Sequence, residues 1–249
     1  MTTERPQPDP NPQPDPRPNP NPQAQPRSQS QSQPDDIGGI LIHRGLREEL
    51  SRLADAAESG RRAEAVQEQI ELVIAVLHQH HHGEDEKLHP LVRDREPSIA
   101  TILDELEKEH TLIQKLADDA ADRTRPLPER APVIRELLDV LRPHLALEEA
   151  EVFPAITRQV SQAEFEEFVK GELKSAGRRL PALFGMLMHY ALPGERKRLL
   201  AGSPRVLRGA VVGRSGYRGN PYPETKGARW TRSWRRWRRP GRRRSCNRW

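Results

Sequence analysis

Cysteine is nearly absent from this 249-residue chain, and its one example, Cys246, lies in the C-terminal tail. The body therefore forms no disulfide and offers no thiolate ligand, so any metal there must be held by His and carboxylate. Long apolar runs are missing as well. Nowhere do about 18 uncharged apolar residues follow one another, as a membrane span requires, and the N-terminus has no apolar segment of the secretory kind. The expectation is a soluble, cytoplasmic protein. No stretch of the body alternates with the period of two that marks a half-buried strand, and no nucleotide motif, phosphate loop or nucleophilic triad is present.

The ends differ in composition from the middle. Residues 1–34 consist almost wholly of Pro, Gln, Asn, Asp, Arg and Ser. That mixture has too little apolar surface to offset the entropy of ordering it, so 1–35 reads as a disordered arm. At the other end, residues 227–249 hold ten Arg and no acid, so the net charge of +5 conceals a remainder with 31 basic against 36 acidic side chains. All four Trp lie in this tail, interleaved with Arg. Such a composition suits nucleic acid or an anionic membrane, and it equally suits a disordered end or an out-of-frame segment. The tail is assigned to 204–249.

Between the ends, apolar residues recur at spacings of three and four, which predicts amphipathic helices near 36–57, 61–92, 97–122 and 132–158. The breaks are Ser59-Gly60, Glu96-Pro97 and the stretch from Pro126 to Pro132. The fold class expected is all-α, an up-down four-helix bundle over 36–160. Two shorter helices, 162–176 and 180–201, form an appendage over 161–203. An internal repeat supports this division. His80-x3-Glu84-Asp85-x2-Leu88-x-Pro90 recurs 64 residues later as His144-x3-Glu148-Glu149-x2-Val152-x-Pro154. Each copy follows a helix carrying a lone His, His43 or His110, so the chain reads as two similar helical hairpins.

Residues four apart on a helix share a face, so His80 with Glu84 and His144 with Glu148 project together. The face is the apolar one. His43 continues the stripe Leu46, Leu50, Leu53, Ala57; His80 and Glu84 continue Val66, Ile70, Val73, Leu77 and lead on to Leu88 and Leu91. His110 sits within Ile99, Leu103, Leu106, Ile113, Ala117, while His144 and Glu148 interrupt Val133, Leu137, Val140, Val152. Heights agree too, because His43 and His80 are equidistant from the turn at Gly60, and His110 and His144 from the turn around Leu127. Six ligand-type side chains thus converge in one layer: His43, His80, Glu84, His110, His144 and Glu148. Burying two carboxylates without counter-charge costs several kcal/mol each, so a cation is expected among them. Nitrogen and oxygen donors without sulfur suit iron, manganese or zinc, and four His with two Glu exceed a closed tetrahedral site. Two ions fit better, each retaining open positions for a small ligand.

Neighbouring registers, His81-x3-Asp85 and His82-x3-Glu86, exist in the same segment, but only His80-x3-Glu84 aligns with the second repeat and with Leu88 and Pro90. His78, His82 and His89 read as solvated or supporting residues, and His189 as packed or exposed.

These motifs resemble the haemerythrin-like, HHE cation-binding family in its bacterial form. The resemblance covers about 36–160 and rests on His43, His80-x3-Glu84 with its trailing acid and Leu-x-Pro, Glu109-His110 and His144-x3-Glu148-Glu149. It implies two iron ions, with Glu84 and Glu148 bridging and the four His as terminal ligands. Oxygen-carrying members have a further His four residues before the one matching His110, and here that position is Leu106. The resemblance therefore implies a site poorer in His than an oxygen carrier's, and weighs against reversible oxygen transport. His81 is the residue nearest to supplying the nitrogen, although it stands about 100° around the helix from His80. The function expected is a di-iron protein that senses or handles oxygen, nitric oxide or peroxide. A redox enzyme turning over peroxide or nitric oxide is the alternative, followed by an iron store or a nucleic-acid-associated protein acting through the tail. The sequence points to no protein partner.

Overall fold

Ser59 and Gly60 end the first helix by physical necessity, since Gly60 adopts φ +61° and Arg62 follows it in the left-handed region. The computed structural model describes residues 34–202. Residues 1–33 of the arm and the basic tail lie outside these residues, whereas the arm's last two, Pro34 and Asp35, lie within them.

Four long helical arms form an up-down bundle. The first is α1 (Ile37–Glu58). The second is α2 (Ala63–Gly83), continued through a π-helical turn, Glu84–Leu88, into α3 (His89–Arg95). The third is α4 (Ala100–Ala121), and the fourth is α5 (Leu127–Leu147), continued through a second π-turn, Glu148–Val152, into α6 (Phe153–Gln159). α1 packs on α2 and α5, and α4 packs on α2 and α5, closing the square. No strand occurs among the described residues, and none of their helices is long and apolar enough to cross a membrane.

The fourth arm starts five residues earlier than the spacing predicts. Pro126 stands at its N-cap and Pro128 in its first turn, where a missing N–H costs nothing, and Leu127 and Ala131 are buried. Leu137, His144, Glu148 and Val152 of its predicted stripe are buried, and the buried face is wider than that stripe. Ile134, Leu138, Leu141 and Leu145 are buried, whereas Val133 and Val140 only flank the core.

The two π-turns have a common cause in the repeated prolines. Pro90 and Pro154 have no N–H and their rings crowd the carbonyl four residues back, so the regular ladder cannot continue through them. Each helix widens by one residue instead, with the His89 N–H bonding the Glu84 carbonyl and the Phe153 N–H bonding the Glu148 carbonyl. The extra residue shifts the buried face. His89 and Val92 point inward where an unbroken α-helix would have presented Leu91, which is only half-buried.

The apolar core falls into two clusters. The larger gathers Leu46, Leu50, Leu77, Ile113, Ile134 and Leu141, and the smaller gathers Leu88, Val92, Leu103, Leu106, Val152 and Ile156. Along three of the four arms a polar layer separates them, at His80 to Glu84, at His110 and at Glu148.

Beyond the bundle, α7 (Gln162–Ala176) opens with a Ser161–Glu164 capping box and lies along α2, where Gln79 Nε2 donates to the Glu172 carbonyl at 2.8 Å. α8 (Leu180–Tyr190) and α9 (Pro193–Gly202) lie on α1. Tyr190 donates to Glu49 at 2.6 Å, and Arg44 forms a two-bond pair with Glu195 at 2.6 and 2.9 Å. Met186, Leu187 and Ala191 join the larger core cluster, so this segment contributes to the interior.

Candidate metal centre

The polar layer brings all six sequence-predicted residues together. His43 contributes from α1, His80 and Glu84 from the second arm, His110 from α4, and His144 and Glu148 from the fourth. His43, Glu148 and His144 are essentially inaccessible, and Glu84 and His110 are buried. Across the first hairpin His43 Nε2 lies 2.8 Å from His80 Nε2, and across the second His110 Nε2 lies 3.1 Å from His144 Nε2. The equal heights expected from the turns are thus reflected in ring-to-ring contact.

The opposite nitrogens explain the orientation. His43 Nδ1 bonds Glu149 at 2.9 Å, His110 Nδ1 bonds Asp85 at 2.8 Å, and His144 Nδ1 bonds Glu109 at 2.8 Å. A neutral imidazole that donates through Nδ1 presents an unshared pair on Nε2, the tautomer suited to a metal. Two such pairs facing one another at about 3 Å repel unless a proton or metal ion lies among them. The acid that follows each inner Glu crosses between hairpins. Asp85 of the first supports His110 of the second, and Glu149 of the second supports His43 of the first, with Arg47 holding Glu149 at 2.8 Å. The repeat was visible in the sequence, but this exchange was not.

Glu148 spans the layer. Its Oε2 lies 3.4 Å from His43 Nε2, while its Oε1 lies 3.0 Å from His144 Nε2 and 3.7 Å from His110 Nε2. Glu84 Oε1 lies 3.4 Å from His80 Nε2, and its Oε2 has no partner. Neither oxygen of Glu148 completes a hydrogen bond of good geometry.

His81 also belongs to the layer. The sequence reading set it apart because of its rotation from His80, yet its ring is buried and stacks on His110 at 4.0 Å, with Nε2 unpartnered. A bundle helix buries a stripe wider than 100°, so adjacent positions can both face inward, one toward α1 and the other toward α4. The ligand-type atoms form two groups, His43, His80, Glu84 and Glu148 in one and His81, His110 and His144 in the other, each within 4.8 Å. Five imidazoles thus line the layer, despite Leu106. The 80/84 and 81/85 registers are both used, whereas His82 and Glu86 are exposed. His78 is half-exposed and 3.7 Å from Asp118, and His89 is fully buried instead of solvated. His189 is exposed, its ring meeting that of Tyr190 edge-on.

Protonation follows burial and neighbours. Burial, then His43, pushes His80 down to about 3, and burial with His110 lowers His81 well below the ordinary range. Burial opposes protonation of His110 too, but Asp85 and Glu148 outweigh it and push that ring up to about 9. Burial and the charge of Glu148 raise Glu84 well above the carboxylate range. Burial acts the same way on Glu148, but His110 and His144 hold it well below. Burial and the neighbouring charges thus favour the neutral form of Glu84 and the charged form of His110. The unpartnered oxygens of Glu84 and Glu148 and the facing Nε2 atoms fit metal ions placed among them.

Residues 41–156 match the family model described as the hemerythrin HHE cation binding domain. This bundle is a hemerythrin HHE domain. No curated protein and no solved structure matches the chain. The hemerythrin match spans both hairpins and every residue of the polar layer, and the property its description gives the domain is cation binding.

Proposed function

We propose that the hemerythrin domain holds two non-haem iron ions and binds or senses a small ligand, oxygen, nitric oxide or peroxide, at the buried His and Glu layer. The observation that carries this reading is the position of Glu148, fully buried with one carboxylate oxygen toward each histidine group. A carboxylate so placed suits a bridge between two cations. His43, His80 and Glu84 would hold one ion and His81, His110 and His144 the other. Nitrogen and oxygen donors without sulfur suit iron. When bound, such ions supply redox-active Lewis-acid centres with positions free for a small molecule. The chain's own part is to fix three of the five imidazoles, His110, His144 and His43, through Asp85, Glu109 and Glu149 and to exclude bulk solvent.

The test is anaerobic loading of the full chain with ferrous iron. Two tightly held ions per chain are expected once weakly held iron has been removed by gel filtration. Glu84→Ala or Glu148→Ala should reduce that to one or none and remove the near-ultraviolet absorption that develops on exposure to oxygen, while exposed His82→Ala should keep both. A wild-type stoichiometry of one would sink the dinuclear reading. Visible spectra that respond to oxygen, nitric oxide or peroxide without steady consumption support ligand binding. Sustained consumption would instead favour a redox enzyme at the same residues.

A further inference from the structure

His89 is 0% exposed, yet neither ring nitrogen has a hydrogen-bond partner. Leaving buried polar atoms unsatisfied costs about 1–3 kcal/mol each, so a ligand is to be sought there. The ring is inside because the first π-turn turned it inward. Its Nδ1 lies 3.7 Å from Asp85 Oδ1 and 3.9 Å from Glu107 Oε1, and one ligand atom from each of the three lies within 4.8 Å of the others. These separations are too long for hydrogen bonds. They suit an ion. With metal–ligand distances of about 2.1 Å, neighbouring donors sit roughly 3.0–3.5 Å apart, so a small contraction closes the set.

We infer that Asp85, His89 and Glu107 form a third, outer site for a divalent transition-metal ion, distinct from the inner layer and accessible from the bundle surface. The Asp85 and Glu107 side chains are 37% and 39% exposed, so an ion reaches them from water while His89 supplies a buried nitrogen behind. One imidazole with two carboxylates selects a transition metal over calcium or magnesium. Three protein ligands, two of them hydrated, hold an ion less tightly than the inner set. Arg93 competes for Glu107 through a 2.7 Å bond, but it also pairs with Asp104 and keeps that partner when Glu107 turns to metal. Asp85 is shared, since its Oδ1 accepts from His110.

The experiment titrates the full-length, metal-free chain with cobalt(II), counting bound ions by equilibrium dialysis and metal analysis. Two variants are compared with wild type, Glu107→Gln at the exposed ligand and His89→Ala at the buried one, with helicity checked by far-ultraviolet circular dichroism. The expected result is one ion fewer in each variant, the missing ion being the one that wild type binds at least about ten-fold more weakly than the rest. Equal counts with unchanged affinities in Glu107→Gln would overturn the outer site. Loss of more than one ion with helicity intact would also overturn it, by making Glu107 a support of the inner layer. The inner reading is judged separately, by whether the variants retain two ions.

Discussion

Asp85 and Glu148 keep the His110 ring protonated up to about 9, whereas burial keeps His80 and His81 neutral, so the five imidazoles do not enter metal binding in the same state. A ring must be neutral and a carboxyl ionised to ligate. His110 and Glu84 both have raised values, so each must lose a proton as metal enters. The sign is the same for both, and apparent affinity should rise with pH until His110 is neutral, near 9. Uptake at about pH 7 should release at least one proton per chain, measurable by calorimetry in buffers of different ionisation enthalpy. Metal uptake without proton release would show that His110 is neutral beforehand. Much of this chemistry was legible in the sequence, because His43, His80, Glu84, His110, His144 and Glu148 lie on stripes whose period and height can be counted. His81 was not, because one position on a helix looks like a different face until the neighbours on both sides are known.

At the scale of elements, the four arms follow from apolar spacing and from punctuation at Gly60, Pro97 and Pro126. The buried face beyond Leu88 does not, since extrapolating the α-helical period passes over the residue that the first π-turn adds and lands on half-buried Leu91 instead of His89 and Val92. Pro90 and Pro154 were the visible signals. The docking of α8 on α1 also escaped the sequence reading, because it depends on a small residue within a longer pattern. A Cβ at Gly45 would stand 2.9 Å from Met186 Cε and 3.3 Å from its Cγ and Sδ, whereas nothing lies within 4 Å of one at Gly38. Gly45→Val should therefore lower unfolding stability by about 1–3 kcal/mol through overpacking. Gly38→Ala should leave it unchanged or raise it by up to about 1 kcal/mol, since a helical glycine is entropically costly. Denaturant unfolding compares the two, and equal effects would show that α8 yields freely to α1.

For the whole molecule, the question is which residues the centre needs. Residues 1–33 of the arm and the Arg-rich segment 228–249 have compositions that cannot supply a core, whereas α8 and the residue after it lend Met186, Leu187 and Ala191 to the same cluster as Leu46 and Leu141. Fully burying side chains such as Met or Leu contributes about 1.5–3 kcal/mol each, so the two kinds of truncation should behave differently. A chain of residues 34–202 should keep the helicity per residue expected of the bundle and the full iron content. Ending the chain at residue 160 should cost several kcal/mol, because α1 loses the partners of Gly45, Arg44 and Glu49 and the main core is opened. Thermal unfolding followed by circular dichroism, with iron analysis on the same samples, separates the outcomes. If the chain ending at 160 melted at the temperature of the longer one and held as much iron, the last three helices would be dispensable to the hemerythrin domain. If the 34–202 chain lost its iron, the arm or the tail would have to be counted as part of the centre's support.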